Sequence, residues 1–181
     1  RITLLGNNSG RNLGDAAILS SIMEQLSCEL PDAEFICPTI APKWVKKHYG
    51  NKYNVNAVDV MPWTGSIRLL GIPTLYHLAR SDAALICDGI IFGIRLFNPA
   101  FNYLITLIFL VPWARLFNCK VVCYNVGIGP FPSFFSKLFG KWVLNGSDLI
   151  LMREKDSAEL GKKIGCTKEM PLTGDSAFIN P

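Results

Sequence analysis

The sequence predicts an α/β fold: a doubly wound, mostly parallel sheet with helices on both faces. Three observations carry that prediction. Short, near-continuous apolar runs alternate with segments of helical periodicity, the pattern of buried strands joined by helical crossovers. Most of those runs end at Gly, Asn or Asp, where a strand hands over to a loop. Half of the 181 residues are apolar and 18% are charged, enough for one substantial core and too few charges for a disordered chain.

The elements follow in order. Ile2-Thr3-Leu4-Leu5 is a buried strand. The loop Gly6-Asn7-Asn8-Ser9-Gly10-Arg11-Asn12-Leu13-Gly14-Asp15 leads from it into a helical pattern through Ala16, Ile18, Leu19, Ile22, Met23 and Leu26. Leu30-Pro31-Asp32 stops that helix, and Ala33 to Cys37 reads as a second strand ended by Pro38. Pro42 to Tyr49 has helical character, and Tyr53 to Val58 alternates like an edge strand. Met61-Pro62-Trp63-Thr64-Gly65 breaks the pattern before a helix over Ile67 to Leu78, which Gly71 and Pro73 interrupt.

Ser81 to Cys87 is an apolar strand that ends at Asp88-Gly89, and Phe97 to Phe117 reads as a long apolar helix. Lys120 to Val126 is the next strand, followed by the turn Gly127-Ile128-Gly129-Pro130. A helix over Ser133 to Leu144 stops at Asn145-Gly146. Leu149 to Met152 is the last strand, and Arg153 to Ser157 opens a helix that runs to Ile164. No internal repeat appears and no shift in composition marks a second domain.

In such a sheet, right-handed crossovers bring every strand's C-terminal end to one edge, and ligands bind outside those ends. The loops at Gly6–Asp15, Asp88–Gly93, Gly127–Pro132 and Arg153–Ser157 are therefore expected to converge. The first is longer and richer in glycine than a connection needs. It reads either as a binding loop at a helix N-terminus or as a long turn with Asp15 as N-cap. Its glycines are spaced by four, which matches neither the dinucleotide fingerprint nor the Walker pattern. Asp15 would compete with a phosphate for the helix N–H groups and suits a sugar hydroxyl better.

Composition narrows the partners. The formal charge is +4, and Lys43, Lys46, Lys47, His48 and Lys52 form the only dense basic cluster. It reads as a solvated helix face, with an acidic partner or anionic membrane as the alternative. No aromatic–basic interleaving suggests nucleic acid. The cysteines (28, 37, 87, 119, 123 and 166) show no C-x-x-C spacing and no His at ligand distance. They read as small buried hydrophobes in a reducing, cytoplasmic compartment, with no metal site. No signal peptide is visible, although a chain starting at Arg1 directly on a strand points to missing N-terminal residues. Phe101 to Trp113 falls short of the ~20 residues of a membrane span. It reads as a buried helix, with shallow, peripheral membrane contact as the alternative.

Four of these junctions, in this order, resemble motifs of the polysaccharide pyruvyl transferase family. Gly6–Leu19 is similar to its N-terminal G-x-x-N-x-G-D-x-A-I-L signature, and Val126-Gly127-Ile128-Gly129-Pro130 to its G-x-G-P turn. Arg153-Glu154-Lys155-Asp156-Ser157 looks like its R-[DE]-x-x-S element, and Thr173-Gly174-Asp175-Ser176-Ala177-Phe178 like its D-x-A-F close. One stretch departs: where the family has a run of glycines, this chain has Cys87-Asp88-Gly89-Ile90-Ile91-Phe92-Gly93, whose bulky residues are expected to narrow the crevice.

The resemblance implies a Rossmann-like N-terminal half of a two-domain enzyme built like the GT-B glycosyltransferases, with residues 1–181 as that half and a C-terminal domain beyond them. It implies transfer of the pyruvyl group of phosphoenolpyruvate onto two hydroxyls of a saccharide, free or lipid-linked, giving a pyruvate ketal. Phosphoenolpyruvate is a donor substrate and no cofactor is implied. The donor's anionic groups fall to the absent domain, leaving the acceptor side here.

On that basis Asp15, Asp88 and Asp175 are the candidate catalytic or hydroxyl-orienting acids. Gly6, Asn7, Asn8, Gly10, Arg11, Asn12, Gly14, Gly89, Asn125, Gly127, Gly129, Arg153 and Ser157 complete the candidate substrate-binding set. Each has a plainer role: Asp15 and Ser157 as helix caps, Arg153 as a carboxylate partner, Asn125 as a strand-end plug. His48 and His77 lie away from strand ends and are not candidate bases. The alternatives are a glycosyltransferase using a nucleotide-sugar and a non-catalytic glycan-binding relative.

Overall fold

The computed structural model describes residues 1–10, 12–60, 65–98 and 101–179. Six strands form one sheet: β1 (Ile2–Leu5), β2 (Phe35–Thr39), β3 (Val55–Asp59), β4 (Ala83–Cys87), β5 (Lys120–Val126) and β6 (Leu149–Met152). Their spatial order is β3-β2-β1-β4-β5-β6 and every pair is parallel, a Rossmann-like arrangement. The chain builds outward from β1 to β3, then returns to the other side of β1 and builds outward again.

The pleat sorts the side chains. Ile2 and Leu4 of β1 point to one face with Phe35, Cys37, Leu85 and Cys87. There they meet Ile18, Leu19, Ile22 and Met23 of α1 (Leu13–Glu29) and Val45 and Tyr49 of α2 (Pro42–Tyr49). Leu5, Ala84, Ile86, Val121 and Cys123 point the other way, against α4 (Ile72–Leu78), α5 (Leu104–Leu116) and α6 (Phe134–Gly146). Thr3, the one polar residue of β1, is buried, and its hydroxyl pairs with Ser81 Oγ at 2.8 Å. α7 (Lys155–Lys163) closes the end beside β6, and the short α3 (Gly65–Leu69) precedes α4.

Several boundaries differ from the sequence reading, each for a local reason. α1 starts at Leu13 because Asn12, not Asp15, is its N-cap, accepting the Gly14 N–H at 3.0 Å. β2 continues through Pro38 instead of ending there. The nitrogen of Pro38 falls on the β1 side, where pairing has already stopped, and its carbonyl accepts the Asn8 amide at 3.2 Å. The break at Gly71, by contrast, is the interruption the sequence predicts: the segment after β3 is two helices parted there (φ 72°), where a Cβ would lie 2.4 Å from Leu110. α6 runs past Leu144 to Gly146, started by a capping box between Ser133 and Ser136. Met61–Thr64, read as a break, lie outside the described residues.

The largest correction concerns the long apolar helix. It forms only from Leu104, because Asn102 organises the preceding loop. The Asn102 amide donates to the carbonyls of Phe92 (2.8 Å) and Ile94 (2.9 Å), and its Oδ1 accepts the Leu104 N–H at 2.8 Å. What remains of the helix is packed on the sheet through Leu104, Leu107, Leu110 and Val111. No helix among the described residues is long and apolar enough to cross a membrane.

Leu107 is fully buried at the centre of that contact, whereas Leu116 at the end of the same helix is exposed. Urea unfolding is expected to show Leu107→Ala destabilised by about 2–5 kcal/mol and Leu116→Ala within about 0.5 kcal/mol of the parent.

Candidate functional site

A cleft of about 470 Å³ opens at the C-terminal edge of the sheet, between the loops that leave β1 and β4. These strands are neighbours whose chains depart to opposite faces, which is the topological switch point where doubly wound sheets bind ligands. One wall is the loop after β1 with the start of α1, and beside it are Thr39 and Ile40 at the end of β2. Asp88, Gly89 and Ile90 follow β4, and the far wall is built by Arg68, Thr74, Asn102, Tyr103 and Thr106.

Two carboxyl groups define the chemistry. Asp15 and Asp88 both line the cleft, within reach of each other's charge at the mouth of the switch point. Burial, with the neighbouring Asp15 charge adding to it, pushes the Asp88 carboxyl from its ordinary value to about 7. The Gly89 N–H, which donates to Asp88 Oδ1 at 2.6 Å, and the positive charge of Arg153 act in the opposite direction and lose to burial. Asp88 sits at φ 69°, a left-handed conformation that Asp tolerates better than most residues. Asp15 is held in place by the side-chain amides of Asn7 and Asn12, the latter at 3.1 Å from Oδ1. Ser9 in turn donates to Asn7 Oδ1 at 3.0 Å. The asparagine-rich loop therefore fixes one acid, and the end of β4 fixes the other.

The predicted site residues divide into three groups. Gly6, Asn7, Asn8, Asp15, Asp88 and Gly89 line the cleft, and Asn12 supports Asp15 from outside it. Asn8 is there as a stitch: its amide donates to the carbonyls of Leu4 (2.8 Å) and Pro38 (3.2 Å), tying the ends of β1 and β2 together.

A second polar cluster lies past β5 and β6. Asn125, left-handed at φ 52°, donates to Ser176 Oγ at 2.7 Å and accepts from Thr173 Oγ1 at 2.6 Å. Arg153 pairs with Asp175 at 3.5 Å and Glu154 at 3.6 Å. Gly127 leaves the space that its guanidinium fills, since a Cβ there would lie 2.6 Å from Nη2. Asp175 also caps the final 3₁₀ turn by accepting the Ala177 N–H at 2.9 Å. The charge of Arg153, in this cluster, acts on Asp88 in the cleft.

The third group holds the framework. Gly10 accommodates the Trp44 ring, and Gly14 lies on the exposed first turn of α1. Gly129 packs against Leu160. The Ser157 hydroxyl donates to Glu154 and accepts the Ile128 N–H at 3.0 Å, so it ties a loop instead of capping its helix. Arg11 lies outside the described residues. The four loops thus do not all reach one crevice: the turn after β5 hydrogen-bonds to the chain after β4 through Gly129 N–H to Ile91 and Gly93 N–H to Pro130. Of the bulky residues in the altered glycine run, Ile91 is buried in the core, while Ile90 and Phe92 contribute to the cleft wall.

The far wall was not singled out in the sequence. Burial pushes the Tyr103 hydroxyl up to about 12, against the opposing influence of the neighbouring Thr74, so it remains a neutral donor. Arg68 stands near it, its charge favouring the phenolate slightly. Arg68 is the one charged residue of α3, a lone charge and not a motif. Facing walls of acids and amides on one side, and a cation with hydroxyls on the other, suit a ligand that carries hydroxyls at one end and an anion at the other. Among the described residues, no group of three or more His, Cys, Asp and Glu could hold a metal ion.

Comparison with known proteins adds one finding. The family model for polysaccharide pyruvyl transferase matches residues 12–181, nearly the whole chain. No curated protein matches it.

The raised Asp88 value has a signed consequence for stability. Folded protein retains a proton that the unfolded chain releases near pH 3.8, so the stability Asp88 contributes is full below that pH. It is lost as the pH rises through about 7. Asp88→Asn abolishes this dependence. Differential scanning calorimetry is expected to show the variant's Tm, relative to the parent, rising by about 2–4 °C or more between pH 4 and pH 8. An offset that stays constant across that range would mean that Asp88 titrates normally.

Proposed function

The chain belongs to the polysaccharide pyruvyl transferase family, and from that premise we propose that its cleft binds the saccharide acceptor and activates a hydroxyl for transfer of a pyruvyl group from phosphoenolpyruvate. The observation that supports this most directly is the Asp15–Asp88 pair at the switch point. A carboxyl poised near neutral pH takes a proton efficiently in the transition state and returns it afterwards.

The proton inventory of a ketal-forming transfer fits such a pair. Two acceptor hydroxyls each lose a proton as two C–O bonds form to the central carbon of the enolpyruvyl group. One proton ends on the methylene carbon, which becomes a methyl group, and the other leaves with the phosphate as the C–O bond to phosphorus-bound oxygen breaks. No oxidant and no cofactor enters the balance. Ionised Asp88 takes the proton of the attacking hydroxyl, and Asp15, fixed by Asn7 and Asn12, accepts a hydrogen bond from the neighbouring hydroxyl. Arg68 faces them as the cation for an anionic group of the substrates.

In this proposal residues 1–181 form the acceptor half of a GT-B-like enzyme, and a second α/β domain supplies the donor's anion-binding groups. The acceptor is a cell-surface saccharide or its lipid-linked precursor. Six thiols without disulfide partners support a reducing, cytoplasmic setting.

Full-length protein supplied with phosphoenolpyruvate and a panel of saccharide acceptors is expected to release phosphate and form an acid-labile ketal, detected by mass spectrometry. Its kcat/KM is expected to rise through about pH 7 as Asp88 ionises. Asp88→Asn is expected to lower kcat by about 10²–10⁴-fold with KM little changed. Phosphate release that is unaffected by the substitution would remove Asp88 from the chemistry. Turnover by residues 1–181 alone would overturn the two-domain assignment.

A further inference from the structure

α5 and α6 lie side by side on one face of the sheet, and their outward surface is apolar where a helix surface facing water is ordinarily polar. Trp113, Leu116 and Phe117 are exposed at the end of α5; Phe134, Phe135, Leu138 and Trp142 are exposed along α6. Phe134 and Trp142 show 74% and 57% of their surface, unusual for aromatic side chains. Between the helices runs a groove of about 340 Å³, with Val111 and Gly146 in its floor, Leu138 and Trp142 on its wall, and Arg115 and Lys141 at its mouth. A Cβ at Gly146 would lie 2.6 Å from Val111, so the helices meet closely below the groove and leave it open above.

The charges on this face all have one sign. Arg115, Lys137 and Lys141 are exposed among the aromatic residues, and neither helix contains an Asp or Glu. That combination separates the possible occupants. The buried centre of a protein–protein interface is depleted in lysine. A surface that lies in a bilayer interface needs cations to meet anionic headgroups, indole and phenyl rings at headgroup depth, and aliphatic side chains below them.

We propose that the α5–α6 face docks the protein on an anionic lipid bilayer, in a monotopic manner and without a spanning segment. Trp142, Phe134 and Leu138 enter the headgroup–acyl boundary, Arg115, Lys137 and Lys141 pair with lipid phosphates, and the groove receives the upper part of one acyl chain. The surface is distinct from the cleft, and its test is independent of any pyruvyl transfer.

The experiment is vesicle flotation of the purified protein with liposomes of phosphatidylcholine alone or with 30% phosphatidylglycerol, a composition chosen as roughly that of a strongly anionic membrane. The protein is expected to float with the anionic vesicles and to be released by high salt. Lys137→Glu with Lys141→Glu is expected to reduce partitioning by about tenfold or more. Trp142→Ser should reduce it comparably at unchanged circular dichroism. Brominated lipid should quench the indole fluorescence of the parent more than that of Trp142→Ser. Absence of flotation with anionic vesicles would overturn the proposal, as would equal binding to neutral ones. It would fall equally if sedimentation velocity showed a dimer that Trp142→Ser dissolves, which would assign the face to a second copy.

Discussion

The parallel pairing of β1 with β4 is the constraint from which the rest of the structure follows. Ile2, Thr3, Leu4 and Leu5 sit in register with Ala83, Ala84, Leu85 and Ile86, and the four residues of β1 are all buried. No side chain in that central contact can be polar without a partner, which is why Thr3 is matched by Ser81. Because the chain leaves β1 toward α1 and β4 toward α5, on opposite faces, the space between their ends cannot be filled by either connection. The cleft is a consequence of topology before any side chain is chosen.

Placement of the two acids illustrates how a backbone can set a proton affinity. Asp15 is reached by two side-chain amides and belongs to the solvent-facing first turn of α1, whereas Asp88 is enclosed at the end of a buried strand. The same residue type in two environments, each within reach of the other's charge, cannot hold two charges comfortably. Burial decides which of them yields, and Arg153 is too indirect to reverse the outcome.

Much of this organisation was legible in the sequence, because apolar runs and turn residues report directly on strands buried on two faces. The six strands, the exposed character of β3 and the switch-point loops all follow from that pattern. Less legible were features in which a side chain acts at a distance. Asn102 shortens α5 by binding carbonyls at Phe92 and Ile94, a tertiary contact invisible to periodicity. Pro38 is an acceptable strand residue only because β1 has already parted from β2 there. The candidate site was half legible: strand-end residues could be named, but which ends share a cleft depends on how the turn after β5 is tied to the chain after β4. Arg68 and Tyr103 come from a crossover helix and a loop, and no local motif marks them.

Asp88, just past β4, and Asn125, in the irregular last turn of pairing of β5, both lie in the left-handed region. Each position is therefore specified twice, once by its side chain and once by a φ angle that few residues tolerate. Alanine, the customary replacement, would remove the functional group and strain the chain in the same stroke, confounding two losses in one measurement. Glycine keeps the turn and deletes the chemistry; asparagine or aspartate keeps the turn and alters only the charge. At these strand ends the genetic alphabet available for dissecting the protein is three letters long.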